Sequence, residues 1–248
     1  MKALSICLFI LFFLQACATK RPTGATEAEV LFKEANKYIE SGRYILATEK
    51  LNALRSQFPY SFYATPAELL QADILFKQEN YVESAAAYLV FKDFHPKYKD
   101  MAYVIQRIAD SFYYQLPSTF DRDLTPGVEA MKHYDDLLRY YGDTNYAKDA
   151  MERISRVKKM LENKEIYIAD FYYRTEDFEA SRTRYAEMIP SLTDNEEKKK
   201  AMVRVLESSL KLKDLPGCDK YYGEFISKVD EKSKKELTSI YEKCSQTL

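Results

Sequence analysis

A chain of 248 residues, 46% hydrophobic and 30% charged, is long enough for one or two domains or for an extended helical array. Its 37 basic and 38 acidic residues nearly cancel, which gives no electrostatic case for nucleic acid as a partner. Only 6 Gly and no alternating apolar runs argue against a β-rich fold.

The N-terminus has its own pattern. Lys2 precedes an apolar run, Leu4–Leu14, broken only by Ser5; at 11 residues it is too short to span a bilayer but suits a secretory signal. The run ends in Leu14-Gln15-Ala16-Cys17, which resembles a bacterial lipobox. That resemblance implies a signal peptide over residues 1–16, with Cys17 as the first mature residue and the site of lipidation. Ala18 rather than Asp follows Cys17, which by the sorting habit of such lipoproteins implies the outer membrane. Residues 17–26 contain Pro and Gly without apolar periodicity and read as a lipidated tether.

From residue 27 onward the apolar residues follow one recurring template. It is clearest between Leu161 and Thr193, where two short helices are expected near Glu165–Tyr173 and Phe178–Ile189. Ala169 and Ser181 are the small residues that let antiparallel helices approach; Tyr172, Phe178, Tyr185 and Met188 fill the space beside them. Small at 8, aromatic at 11 and 17, small at 20, aromatic at 24 and apolar at 27 is the tetratricopeptide pattern. The residue after the first small position is Asn36, Asp73, Asp110, Asp170 and Glu207, at intervals of 37, 37, 60 and 37. Each of these five can accept a hydrogen bond. Three residues on stand Ile39, Phe76, Tyr113, Tyr173 and Leu210, all apolar. Two columns in one period predict an all-α solenoid of about five helix pairs over residues 27–248.

The copies differ in informative ways. The first places Gly42 in its turn, whereas the second turns through Gln78-Glu79-Asn80 without glycine. The third holds nine extra residues in its turn, predicting a loop within Leu116–Gly127 that carries Asp121-Arg122-Asp123. Such a loop is either functional or a tolerated insertion. After it, helical periodicity from about Tyr146 runs on into the fourth copy and predicts one long helix. The fifth copy uses Leu206, Leu215, Cys218, Tyr222 and Phe225, and Lys232–Gln246 is expected to close the array. Cys218 and Cys244 either pair, if that helix packs on the fifth copy, or Cys218 is simply the small residue at the helix crossing. Sequence cannot show the close Cα approach a bridge requires, so the second reading is adopted.

Candidate chemistry is scarce. His95 and His133 have no partner at metal-ligand spacing, no glycine-rich phosphate loop or nucleophile elbow is present, and Asp135-Asp136 lies on adjacent helix positions that do not face one another. No catalytic residue, metal or cofactor is expected. The first helices offer instead a binding face comprising Phe32, Asn36, Leu69, Asp73, Phe76, Tyr103, Asp110 and Tyr113. Alternating aromatics and hydrogen-bond acceptors suit an extended peptide; packing between neighbouring copies is the competing role.

Several motifs in order resemble the BamD family of lipoproteins of the outer-membrane β-barrel assembly (Bam) machine. They are the lipobox at Cys17; Gln57-Phe58-Pro59-Tyr60 with Tyr63; Asp121-Arg122-Asp123; Tyr140-Tyr141-Gly142-Asp143 with Tyr146 and Ala147; and Glu165 through Tyr173, with Arg184 in the next helix. Gly142 stands where that family usually has Pro. The resemblance implies a non-enzymatic scaffold, lipid-anchored on the periplasmic face of the outer membrane. It implies a BamA-like barrel protein and other Bam subunits as partners, and unfolded outer-membrane proteins as clients. It places Arg184 at the contact with the barrel partner, with Arg122 as the second basic candidate. A periplasmic adaptor for cell-envelope or peptidoglycan synthesis is the alternative.

Overall fold

The computed structural model describes residues 22–246; Cys17, the expected signal peptide and residues 18–21 of the tether lie outside the described residues. Eleven α-helices and no strand occur among the described residues. They are α1 (Glu27–Glu40), α2 (Tyr44–Gln57), α3 (Ala64–Lys77), α4 (Tyr81–Phe94), α5 (Met101–Tyr113) and α6 (Thr125–Tyr141), then α7 (Ala150–Arg174), α8 (Phe178–Met188), α9 (Asn195–Lys211), α10 (Leu215–Phe225) and α11 (Glu231–Gln246). The chain forms two compact units, one ending at Ser111 and the other beginning at Phe112.

In the first unit the small residues sit where the helices cross. Ala35 and Ala47 are fully buried between α1 and α2, beside Leu31, Leu51 and Leu54. Ala72 and Ser84 do the same for α3 and α4, and the Ser84 hydroxyl donates to the Ala72 carbonyl at 3.4 Å. Both turns use one left-handed residue, Gly42 at φ 71° and Glu79 at φ 61°. The backbone closure is also the same. Gly42 N–H bonds to Ile39 O and Arg43 N–H to Tyr38 O; Glu79 N–H bonds to Phe76 O and Asn80 N–H to Leu75 O. Thr26 caps α1 by accepting from Glu29 N–H at 3.2 Å.

The second unit repeats this plan. Ala169 and Ser181 are buried at the α7–α8 crossing, with the Ser181 hydroxyl on the Ala169 carbonyl at 3.3 Å. Its tight turns again use left-handed residues, Glu176 at φ 63° and Lys213 at φ 55°. Asp177, Asp194 and Asp214 cap α8, α9 and α10 by accepting backbone N–H groups. The long helix expected after the third copy is α7, at 25 residues. Its N-terminal part packs with α6 and its C-terminal part with α8.

Two expectations are corrected here. The loop is shorter than Leu116–Gly127, because α6 already begins at Thr125. Gly127 is a helical residue there: a Cβ on it would meet Val157 Cγ1 at 2.8 Å and Leu116 Cδ2 at 2.9 Å, so a larger residue would have to push these two side chains aside. The second correction concerns the cysteines. Cys218 and Cys244 form a disulfide, with Cα atoms 6.5 Å apart, because α11 packs back on α10. Cys218 is also a buried residue of the core, so the two roles are compatible.

Candidate functional site

The polar column has a specific job in both units. In the first, the Asp73 carboxylate accepts hydrogen bonds from the Tyr88 hydroxyl of α4 and, at 2.5 Å, from the Tyr103 hydroxyl of α5. Tyr88 is fully buried. Burying an aromatic ring of this size stabilises by about 2–3 kcal/mol, but a stranded hydroxyl would cancel much of that. Asp73 removes the penalty by accepting the hydroxyl's hydrogen bond. Burial, and then the Asp73 charge, push the Tyr88 hydroxyl far above its ordinary pKa and Tyr103 to about 12. Beside the clasp, the Arg107 guanidinium lies over the Phe76 ring at 4.6 Å and the Tyr103 ring at 5.1 Å, with the Asp110 carboxylate 3.8 Å away.

The second unit carries the same cluster 97 residues on. Asp170 accepts from the Tyr185 hydroxyl and from Lys200 at 3.3 Å. Arg204 lies over the Tyr173 ring at 4.0 Å and pairs with Glu207 at 2.8 Å. Tyr173 also donates to Glu207 at 3.0 Å. Asp73, Phe76, Tyr88, Arg107 and Asp110 thus correspond one for one to Asp170, Tyr173, Tyr185, Arg204 and Glu207. Lys200 takes the place of Tyr103, replacing a hydroxyl donor by an ammonium. A polar joint in two places on one chain reads first as architecture: it ties the first helix of one pair to its own second helix and to the next pair.

This sorts the residues proposed for the binding face. Leu69 and Asp110 are buried, at 7% and 3% exposure, within the first unit. Asp73, Phe76 and Tyr103 come together and stay partly exposed. Asn36 spends a side-chain N–H on its own helix, at the Phe32 carbonyl 2.8 Å away. Phe32 packs on Tyr63 with ring centroids 5.2 Å apart. Tyr113 belongs to the second unit, edge-on to Tyr134 and beneath Arg153. The signal that sequence reading missed was a tyrosine 15 residues after the acid: Tyr88 follows Asp73 and Tyr185 follows Asp170 at that distance. After Asn36 the same step reaches Leu51, and there the amide bonds locally.

The two basic candidates differ. Arg184 lies on α8, 45% exposed, 3.6 Å from Glu165 on α7, which is 46% exposed. Its nearest acid is thus on the neighbouring helix, not on its own. Glu165 lines an open cleft of about 390 Å³ together with Leu161, Met188 and Leu192. Arg122 is exposed on the loop, which is fastened to α7. Its carbonyl accepts from Lys164 Nζ at 2.7 Å, and the neighbouring Phe120 ring stands edge-on to Tyr167 at 6.0 Å. Among the described residues, no group of His, Cys, Asp or Glu is placed to hold a metal ion.

A family model described as an outer membrane lipoprotein, YfiO, matches residues 24–215. The chain is 28% identical over 213 residues to the outer membrane protein assembly factor BamD of Rickettsia prowazekii, covering 85% of this chain and 84% of that protein. It is 28% identical over 187 residues to the BamD of Vibrio cholerae, covering 72% and 78%. Among solved structures, the TPR2AB domain of yeast Sti1 matches with TM-score 0.46 and 14% identity, over 90% of this chain and 100% of that one.

Proposed function

This chain belongs to the YfiO family of outer membrane lipoproteins, and we propose on that premise that it is a non-enzymatic scaffold for inserting β-barrel proteins into the outer membrane. Its mature form is anchored through lipid on Cys17 and sits on the periplasmic face. A BamA-like barrel protein and other Bam subunits are its partners, met through the second unit around Arg184, with Arg122 on the loop as the further basic contact. Unfolded outer-membrane proteins are the clients, met by the partly exposed first-unit residues Phe32, Asn36, Asp73, Phe76 and Tyr103.

The observation that carries the reading is the family match, which takes in the first unit and most of the second, together with relatives named as assembly factors. Physical features support it. Arg184 presents a half-exposed planar fork beside Glu165, which itself lines a cleft with Leu161, Met188 and Leu192, a suitable setting for binding a partner carboxylate. A disulfide between Cys218 and Cys244 fits an oxidising compartment such as the periplasm. Affinity purification from membranes tests the proposal. A BamA-like protein is expected to come down with the chain, and depletion of the chain should lower outer-membrane β-barrel levels. Recovery of a peptidoglycan synthase in its place, with barrel levels unchanged, would favour the envelope adaptor.

A further inference from the structure

The first unit exposes large apolar side chains at two opposite edges, and the chain enters at only one of them. Because α1 to α5 alternate in direction, the start of α1, the α2–α3 loop and the α4–α5 loop share an edge. Contacts place them there: Arg55, near the end of α2, lies 3.7 Å from Glu68 at the start of α3, and His95, just past α4, lies 3.1 Å from that same carboxylate. This edge carries Tyr60 at 101% exposure, Phe62 at 82% and Phe94 at 76%. The opposite edge holds the turns at Gly42 and Glu79 and exposes Ile45 at 83% and Val82 at 63%.

The entering chain is fixed to the first edge. Thr23 O accepts from Lys33 Nζ at 3.0 Å, and Ala25 N–H bonds to Glu29 at 2.8 Å, which holds the segment before α1 against its first turns. From Phe32 in those turns, contacts run through Tyr63 at 5.2 Å to Phe62 at 5.5 Å. From Cys17 to Pro22 is five residues, a reach of at most about 18 Å even fully extended. A lipid on Cys17 therefore holds this edge close to the bilayer.

We propose that the edge seats on the membrane surface, with Tyr60 and Phe62 inserted at the level of the lipid headgroups; this rests on lipidation at Cys17. Tyrosine and phenylalanine suit that layer, where a ring is buried while polar groups stay wet. Lys97 and Lys99 on the same edge are offset by Asp93 and Asp100, so the contact is apolar rather than electrostatic and should survive salt.

The chain has no tryptophan, so a single one makes a clean reporter. Lipidated full-length protein carrying Tyr60→Trp or Ile45→Trp is bound to phosphatidylethanolamine–phosphatidylglycerol vesicles and isolated by flotation. The Tyr60→Trp reporter is expected to shift to the blue and to be quenched by brominated lipids, at low and high salt alike. The Ile45→Trp reporter, a helix length or about 21 Å away, should keep its vesicle-free emission. Unchanged emission from both reporters on floated protein would overturn the proposal while leaving the anchor standing. Flotation of a Cys17→Ala chain as complete as wild type would overturn the anchor instead, and the emission contrast on that bound protein would still decide the edge. Failure of every chain to float would overturn both.

Discussion

The Asp73 clasp decides whether two tyrosines are an asset or a liability. Removing the carboxylate with Asp73→Ala leaves a buried hydroxyl on Tyr88 and a half-buried one on Tyr103. The expected loss is about 2–3 kcal/mol of stability, read from urea unfolding, with Tyr88→Phe on the Asp73→Ala background recovering part of it. The pH dependence has a definite sign. Tyr103 is raised to about 12 by burial and by Asp73, so its contribution is intact below the ordinary tyrosine value near 10. It is lost as pH rises through about 12, and the wild-type advantage over Asp73→Ala should therefore shrink between those values. This role was only half legible in the sequence. The period put a hydrogen-bond acceptor beside each small residue, but its partner lies on another helix, and an acceptor column looks the same whether it faces a ligand or a neighbouring hydroxyl.

At the level of the helix pair, the turn and the staple are the informative elements. Four turns adopt one left-handed conformation, at Gly42, Glu79, Glu176 and Lys213, yet only the first is glycine. Side chains there cost about 1–2 kcal/mol, against which glycine's extra freedom in the unfolded chain must be set. Glu79→Gly, Glu176→Gly and Lys213→Gly should each raise stability by about 0.5–1 kcal/mol in urea titrations, and Gly42→Ala should lower it by a similar amount. Sequence reading recognised the glycine turn and left the other backbones unassigned, because a glutamate carries no local sign of φ. The Cys218–Cys244 bridge was only one of two readings for a different reason: it depends on how α11 returns to α10. It closes a separation of 26 residues, so Cys244→Ala should lower stability by about 3 kcal/mol and speed amide exchange in α11.

For the molecule as a whole, the helical periods were readable and the partners were not. Intervals of 37 and 60 residues in the polar column give the helix pairs and the lengthened α7, because small residues must recur where helices cross. A partner contact leaves no period. Arg184 is the sharpest test at this scale. Its pair with Glu165 is half exposed and is worth at most about 1 kcal/mol. Arg184→Glu should therefore melt near wild type, yet lose the BamA-like partner, since two like charges in a closed contact cost several kcal/mol of binding. Full co-purification by this variant would move the contact away from α8.

The helix α7 belongs to two hairpins at once, packing with α6 at one end and α8 at the other over 25 residues, a rod of about 37 Å. Elsewhere in a repeat protein, a turn is a natural frontier where fraying can stop. Here the frontier is missing. Peeling α8 away uncovers the C-terminal half of a helix whose N-terminal half is still held, and helical hydrogen bonding passes the disturbance along the rod. Three helices should consequently melt as one foldon, with a single plateau of exchange protection running through α7, so that this stretch counts two hairpins by sequence but one by cooperativity.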